Sequence, residues 1–181
     1  MKKRLLILLI LVSLVVAIVA LPACSEKDDA IDVSKLVDPD DVTPDIGKYV
    51  FFDEQSDHTY AVSARADFDM PERLVFPAKY NGKAVTSIEG HGFKNKKTIK
   101  EVVIPSPVNK ISLSAFYGCA SLTTVTIPTS VKTMEYLAFY GCHELKTVIY
   151  QGTKAQWKSI TDNGAFSYDV TILCTDGTIK Q

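Results

Sequence analysis

Cys119, Cys142 and Cys174 carry most of the reactive chemistry in the body of this chain. The first two stand 23 residues apart in nearly identical words, Ala115-Phe-Tyr-Gly-Cys119 and Ala138-Phe-Tyr-Gly-Cys142. No Cys-x-x-Cys pair or suitably spaced histidine accompanies them, so a zinc site lacks its ligand pattern. His143 beside Cys142 invites a Cys–His nucleophile. Consecutive residues point in different directions, however, and an inward thiol in apolar surroundings has its pKa raised, the opposite of activation. Ser112 and Ser114 have no base at a meaningful spacing, and His58 and His91 fall in turns. Asp38-Pro-Asp40-Asp41 alternates acids as a calcium loop does, but without the central Gly and closing Glu. With three histidines and no concentrated carboxylate cluster, an acid–base enzyme is disfavoured. The sequence assigns no catalytic residue, no metal and no cofactor.

The cysteines make more sense as parts of a repeat. Ile104-Pro105 to Val125 is rewritten, 23 residues later, as Ile127-Pro128 to Val148. A period in this range means a solenoid, in which each unit buries its apolar face only against its neighbours. Measured from Pro77, Pro105 and Pro128, apolar residues fall just before the proline (Phe76, Ile104, Ile127) and two positions earlier (Leu74, Val102, Val125). Phe116 and Phe139, each preceded by alanine, lie eleven residues past it. The alternation in Leu122-Thr-Thr-Val125-Thr-Ile127 fits a short half-buried strand that the proline ends. Cys119 and Cys142 then take equivalent inward places, where small apolar thiols pack well. Stacked coils also bring equivalent Cα atoms to about 5 Å, within disulfide reach, so both states stay open.

A disguised earlier copy follows Pro77. Tyr80-Asn81-Gly82-Lys83 reads as a hairpin turn, and beyond it Val85, Ile88, Phe93 and Ile99 replace Val108, Ile111, Phe116 and Leu122. Gly92 stands for the alanine and Lys96 for the cysteine. Upstream, Tyr49–Phe52 and His58–Val62 flank a polar turn and predict a hairpin covering the N-terminal edge.

These offsets resemble the BspA-type leucine-rich repeat, spelled I-P-x-x-V-x-x-I-x-x-x-A-F-x-x-C-x-x-L-x-x-V, over residues 49–174. Tyr150 to Ile160 also resembles the closing segment of such modules, with Trp157 as a plug. The resemblance implies a right-handed leucine-rich repeat solenoid of the α/β class, mostly short parallel strands joined by turns or 3₁₀ segments. It also implies a role in adhesion or host contact, as in bacterial surface proteins of that family.

The N-terminus is an address. Lys2, Lys3 and Arg4 precede an apolar run from Leu5 to Ala20 and then Leu21-Pro22-Ala23-Cys24, the layout of a secretory signal. The last four residues resemble a bacterial lipobox. That implies cleavage by signal peptidase II and diacylation of Cys24, placing the mature protein outside the cytoplasm on a lipid anchor. An uncleaved span and ordinary secretion are the alternatives; the run before Pro22 is shorter than the roughly 20 residues a span needs. Setting aside the three basic residues of the signal leaves 17 basic and 21 acidic side chains, a net charge of −4. That is no footprint for a nucleic acid.

The resulting organisation is a lipoprotein signal over 1–23, an acidic flexible tether over 24–46 and an N-terminal β cap over 47–76. Repeats fill 77–149 and a capping segment 150–181. The Ala-Phe-Tyr-Gly-Cys words are core, which leaves outward strand positions as the candidate binding face. They are Arg73 and Val75, then Lys100, Glu101 and Val103, then Thr123, Thr124 and Thr126, then Lys146, Thr147 and Ile149. An exposed Val75-Val103-Thr126-Ile149 row with a polar rim would suit a protein or glycan ligand. Rival readings are a display scaffold with no ligand and an enzyme with an unrecognised site.

Overall fold

The computed structural model describes residues 32–33 and 42–181. The signal segment, Cys24 and the Asp38–Asp41 stretch lie outside the described residues. After a 3₁₀ turn at Ile46–Lys48, β1 (Val50–Glu54) and β2 (Tyr60–Ala64) form the expected antiparallel hairpin. β3 (Arg73–Val75) follows, then a hairpin of β4 (Lys79–Tyr80) and β5 (Lys83–Ile88) turned at Asn81-Gly82. These two residues have φ of 48° and 78°, the consecutive positive values that a tight two-residue turn demands.

From there the 23-residue period becomes stacked coils. β6 (Glu101–Val103), β8 (Thr124–Ile127), β10 (Thr147–Tyr150) and β12 (Thr171–Cys174) extend β3 in a parallel ladder. Its register aligns Leu74, Val102, Val125, Val148 and Ile172, all fully buried. A second parallel ladder, additional to the expected strand side, runs from β2 and β5 through β7 (Lys110–Ile111), β9 (Thr133–Met134) and β11 (Thr161–Asp162). Its cause is the same stacking: equivalent backbone one coil apart lies alongside and pairs N–H with C=O. The Ala-Phe-Tyr-Gly-Cys words form a third, turn-built side.

Two backbone reversals recur in each coil. His91, Ser114 and Leu137 have φ of 58°, 54° and 59°; Asn95, Gly118 and Gly141 have 60°, 71° and 75°. Gly118 and Gly141 take the second reversal without a Cβ penalty, and Asn95, a residue type that also tolerates positive φ, fills the same place in the first coil.

The interior is a phenylalanine stack. Ring centroids lie 5.2 Å apart from Phe76 to Phe93 and from Phe93 to Phe116, 5.3 Å to Phe139, and 5.2 Å again to Phe166. Phe166 shows that the coil pattern continues into the C-terminal segment. Phe139 N donates to Ala165 O at 2.8 Å, as Phe116 N does to Ala138 O one coil earlier. Ala165-Phe166 is therefore another Ala-Phe pair. Its distance from Ala138 is 27 residues instead of 23, with the helix α1 (Lys154–Lys158) lying in between. Thr153 and Gln156 cap that helix reciprocally, and its buried Trp157 packs edge-on against Tyr150 at 5.3 Å. β13 (Gly177–Lys180) runs antiparallel to β12 and closes that edge.

At the other end of the ladder, Thr43 N donates to Val75 O at 3.1 Å and Thr43 Oγ1 accepts from Val75 N at 2.7 Å. Residue 43, within the stretch read as a tether, is thus docked on the free edge of β3.

Candidate binding surface

Reactivity is engineered out of the cysteines by their position. Cys119 Sγ donates to Phe93 O at 3.1 Å, and Cys142 Sγ to Phe116 O at 3.2 Å, each reaching back to the preceding coil. Lys96, the substitute in the first copy, instead donates Nζ to Arg65 O of the cap at 2.8 Å. All three described cysteines are buried free thiols. Burial pushes Cys119 up to about 12, outweighing the Lys96 backbone N–H that acts the other way. Burial likewise raises Cys142 and Cys174. His143 is exposed and lies 5.1 Å from the Tyr168 ring, while Cys142 faces the core. The pair cannot act as nucleophile and base. Among the described residues no group of three His, Cys, Asp or Glu side chains is arranged to hold a metal ion. An open hollow at the C-terminal end is bordered by Trp157, Lys158, Ile160, Asp162, Lys180 and Gln181.

The strand ladder places the expected face residues side by side. Arg73, Glu101, Thr124 and Thr147 align in one row and Val75, Val103, Thr126 and Ile149 in the next. Lys100, Thr123 and Lys146 are exposed just before their strands. Arg73 pairs with Glu101 at 3.2 Å and Lys100 with Glu72 at 2.8 Å, so part of the rim is neutralised between coils.

The expected exposed apolar row is a correction. Val75, Val103, Thr126 and Ile149 retain 4%, 3%, 1% and 7% of their surface. Alternation along a strand does assign them to the outer face, but it does not say whether that face meets water. Val75 makes the point best, since it lies on the outermost strand of the ladder and would be open if the face were bare. The row is covered.

Exposed apolar side chains lie on the turn side, and Tyr140 among them belongs to a word that the sequence reading placed in the core. In each Ala-Phe-Tyr-Gly-Cys word the phenylalanine is buried and the tyrosine after it faces out. Tyr117 and Tyr140 stack at 5.4 Å, and Lys94 Nζ lies 5.2 Å from the Tyr117 ring. Tyr140, Tyr136 and Tyr168 are exposed, Tyr136 most of all at 57%, and Leu113 is exposed one coil before Tyr136. The signal was present: tyrosine recurs at the same offset, one residue beyond an inward phenylalanine. Near the same side, Glu135 ties two coils together. It accepts from Leu113 N at 2.8 Å and pairs with Lys110 at 2.8 Å, and the Lys110 bond holds its carboxyl below the usual range.

A model of the BspA-type leucine-rich repeat region matches residues 80–172 in six copies. The chain belongs to the BspA-type leucine-rich repeat family. Among solved structures it is similar to a leucine-rich repeat protein of T. pallidum, at 21% identity and a TM-score of 0.54, covering 61% of this chain and 54% of that one. A leucine-rich repeat protein from Bacteroides ovatus matches at 25% identity and 0.52, covering 74% and 37%. One from Bacteroides capillosus matches at 23% and 0.50, covering 66% and 94%. The chain thus spans about half of the first of these proteins and little more than a third of the second. No curated protein matches it in sequence. The BspA-type assignment supports a repeat-based binding or scaffold role.

Proposed function

We propose that this chain is a lipid-anchored protein of the bacterial surface, outside the cytoplasm, whose BspA-type solenoid binds a protein or glycan ligand. The anchor half of the reading rests on Leu21-Pro22-Ala23-Cys24. The observation that carries the binding half is the set of exposed Tyr136, Tyr140 and Tyr168 on the turn side, with half-buried Tyr117 stacked beside Tyr140. A hydroxylated ring gives a large contact area with few rotatable bonds and a polar tip, which is why tyrosine suits recognition surfaces. A scaffold reading has one observation in its favour, the covered Val75–Ile149 row with its internally paired rim.

Pull-downs from envelope and host-cell extracts, together with a glycan array, separate the two. The wild type should capture a ligand, and Tyr136→Ser/Tyr140→Ser should lose that capture at an unchanged melting temperature. Absence of any capture by the wild type would favour the scaffold. The anchor is tested by palmitate labelling, which Cys24→Ala should abolish; persistent labelling would reject it.

A further inference from the structure

The covered row raises the question of its occupant. The inner core cluster holds the ladder residues, the phenylalanine stack and Trp157, but neither this row nor Val33. Val33 is nevertheless 1% exposed. A valine so enclosed needs an apolar surface around it. The buried apolar residues described outside the core cluster are Ala61, on the cap strand β2, and Val75, Val103 and Ile149. Only the second set offers a contiguous face large enough for another aliphatic side chain.

Reach agrees with this. Val33 lies ten positions before Thr43, which is hydrogen-bonded to Val75 on the edge strand of the same ladder. Ten residues extend to about 33 Å at most, whereas four adjacent strands span only about 15 Å. Every member of the row is therefore accessible to Val33 from the Thr43 tie.

We propose that the segment carrying Val33 is an intramolecular cover, seated through Val33 on the Val75–Val103–Thr126–Ile149 row of the outer sheet face. Two consequences follow. The row is closed to any partner that does not first displace Val33, and that partner would have to be an apolar protein segment able to take its place. If Cys24 carries the anchor, eight residues lie between it and Val33 in sequence, a reach of about 30 Å at most. The solenoid then stands close to the membrane. The cover itself does not depend on the anchor or on any ligand.

The test uses the full chain with a benzoylphenylalanine photo-crosslinker at position 33, and separately Val33→Asp. Crosslinks mapped by mass spectrometry should fall within one molecule, on the peptides carrying Val75, Val103 and Ile149. Val33→Asp should raise bis-ANS fluorescence several-fold, while Cys119 and Cys142 stay unreactive to iodoacetamide and so report an intact solenoid. Should the bulky crosslinker dislodge the segment, the same rise in bis-ANS must appear in that protein. Crosslinks on the cap around Ala61, crosslinks between molecules, or bis-ANS binding unchanged by Val33→Asp would overturn the proposal.

Discussion

Two rows of side chains face away from the core of this solenoid, and they meet opposite fates. On the strand side, Val75, Val103, Thr126 and Ile149 are shut off from water. On the turn side, Tyr136, Tyr140 and Tyr168 stand in it. Both rows follow from the same stacking of coils. Periodicity therefore states which residues are equivalent and which way they point, but exposure is decided by what else the chain lays over them. The more apolar row is the one that is covered, as expected where burying aliphatic surface contributes about 25 cal/mol per Å².

The comparison can be broken by substitution. The ceiling is set by the interior: Phe139→Ala, in the middle of the phenylalanine stack, should cost about 3–5 kcal/mol in a denaturation experiment. An unchanged melting temperature there would mean that the register itself is wrong. Val103→Lys comes next, at about 2 kcal/mol, because a charge would replace an enclosed aliphatic. Tyr136→Ser should stay within about 0.5 kcal/mol, as open surface positions do. If Val103→Lys proved as mild as Tyr136→Ser, the two rows would be alike and the cover absent.

The smallest expected effect concerns the ion pair between coils. The Lys110 hydrogen bond lowers the pKa of Glu135 in the folded state. Its contribution is therefore present above the ordinary carboxylate pKa and fades as pH falls through the folded-state value. For a pair this exposed the contribution is about 0.5 kcal/mol. Melting temperature measured from pH 7 to pH 3 should fall less steeply in Glu135→Gln than in the wild type, and parallel curves would dismiss the pair.

The solenoid was legible because repetition is a property of the sequence itself. Ile104, Phe116, Cys119 and Leu122 recur as Ile127, Phe139, Cys142 and Leu145, and all eight are buried as the offsets require. The hairpin turn at Asn81-Gly82 was legible because few residue pairs tolerate two positive φ values. Ala165-Phe166 was not, since the helix-bearing stretch between Tyr150 and Asp162 shifts it four residues out of step. Tyr117 and Tyr140 were misplaced because they share a word with core residues, although neighbours in a chain need not share an environment. The burial of Val103 could not be read from the repeat at all, because what covers it comes from outside the repeat.

Native-state alkylation of two single substitutions tests the contrast between the rows most directly. Val103→Cys and Tyr136→Cys would each be exposed to iodoacetamide and followed by site-resolved mass spectrometry, with the buried native thiols as internal controls. The account predicts rapid modification at position 136 and protection at position 103 until the protein is denatured. Equal rates at the two positions in the native protein would contradict it.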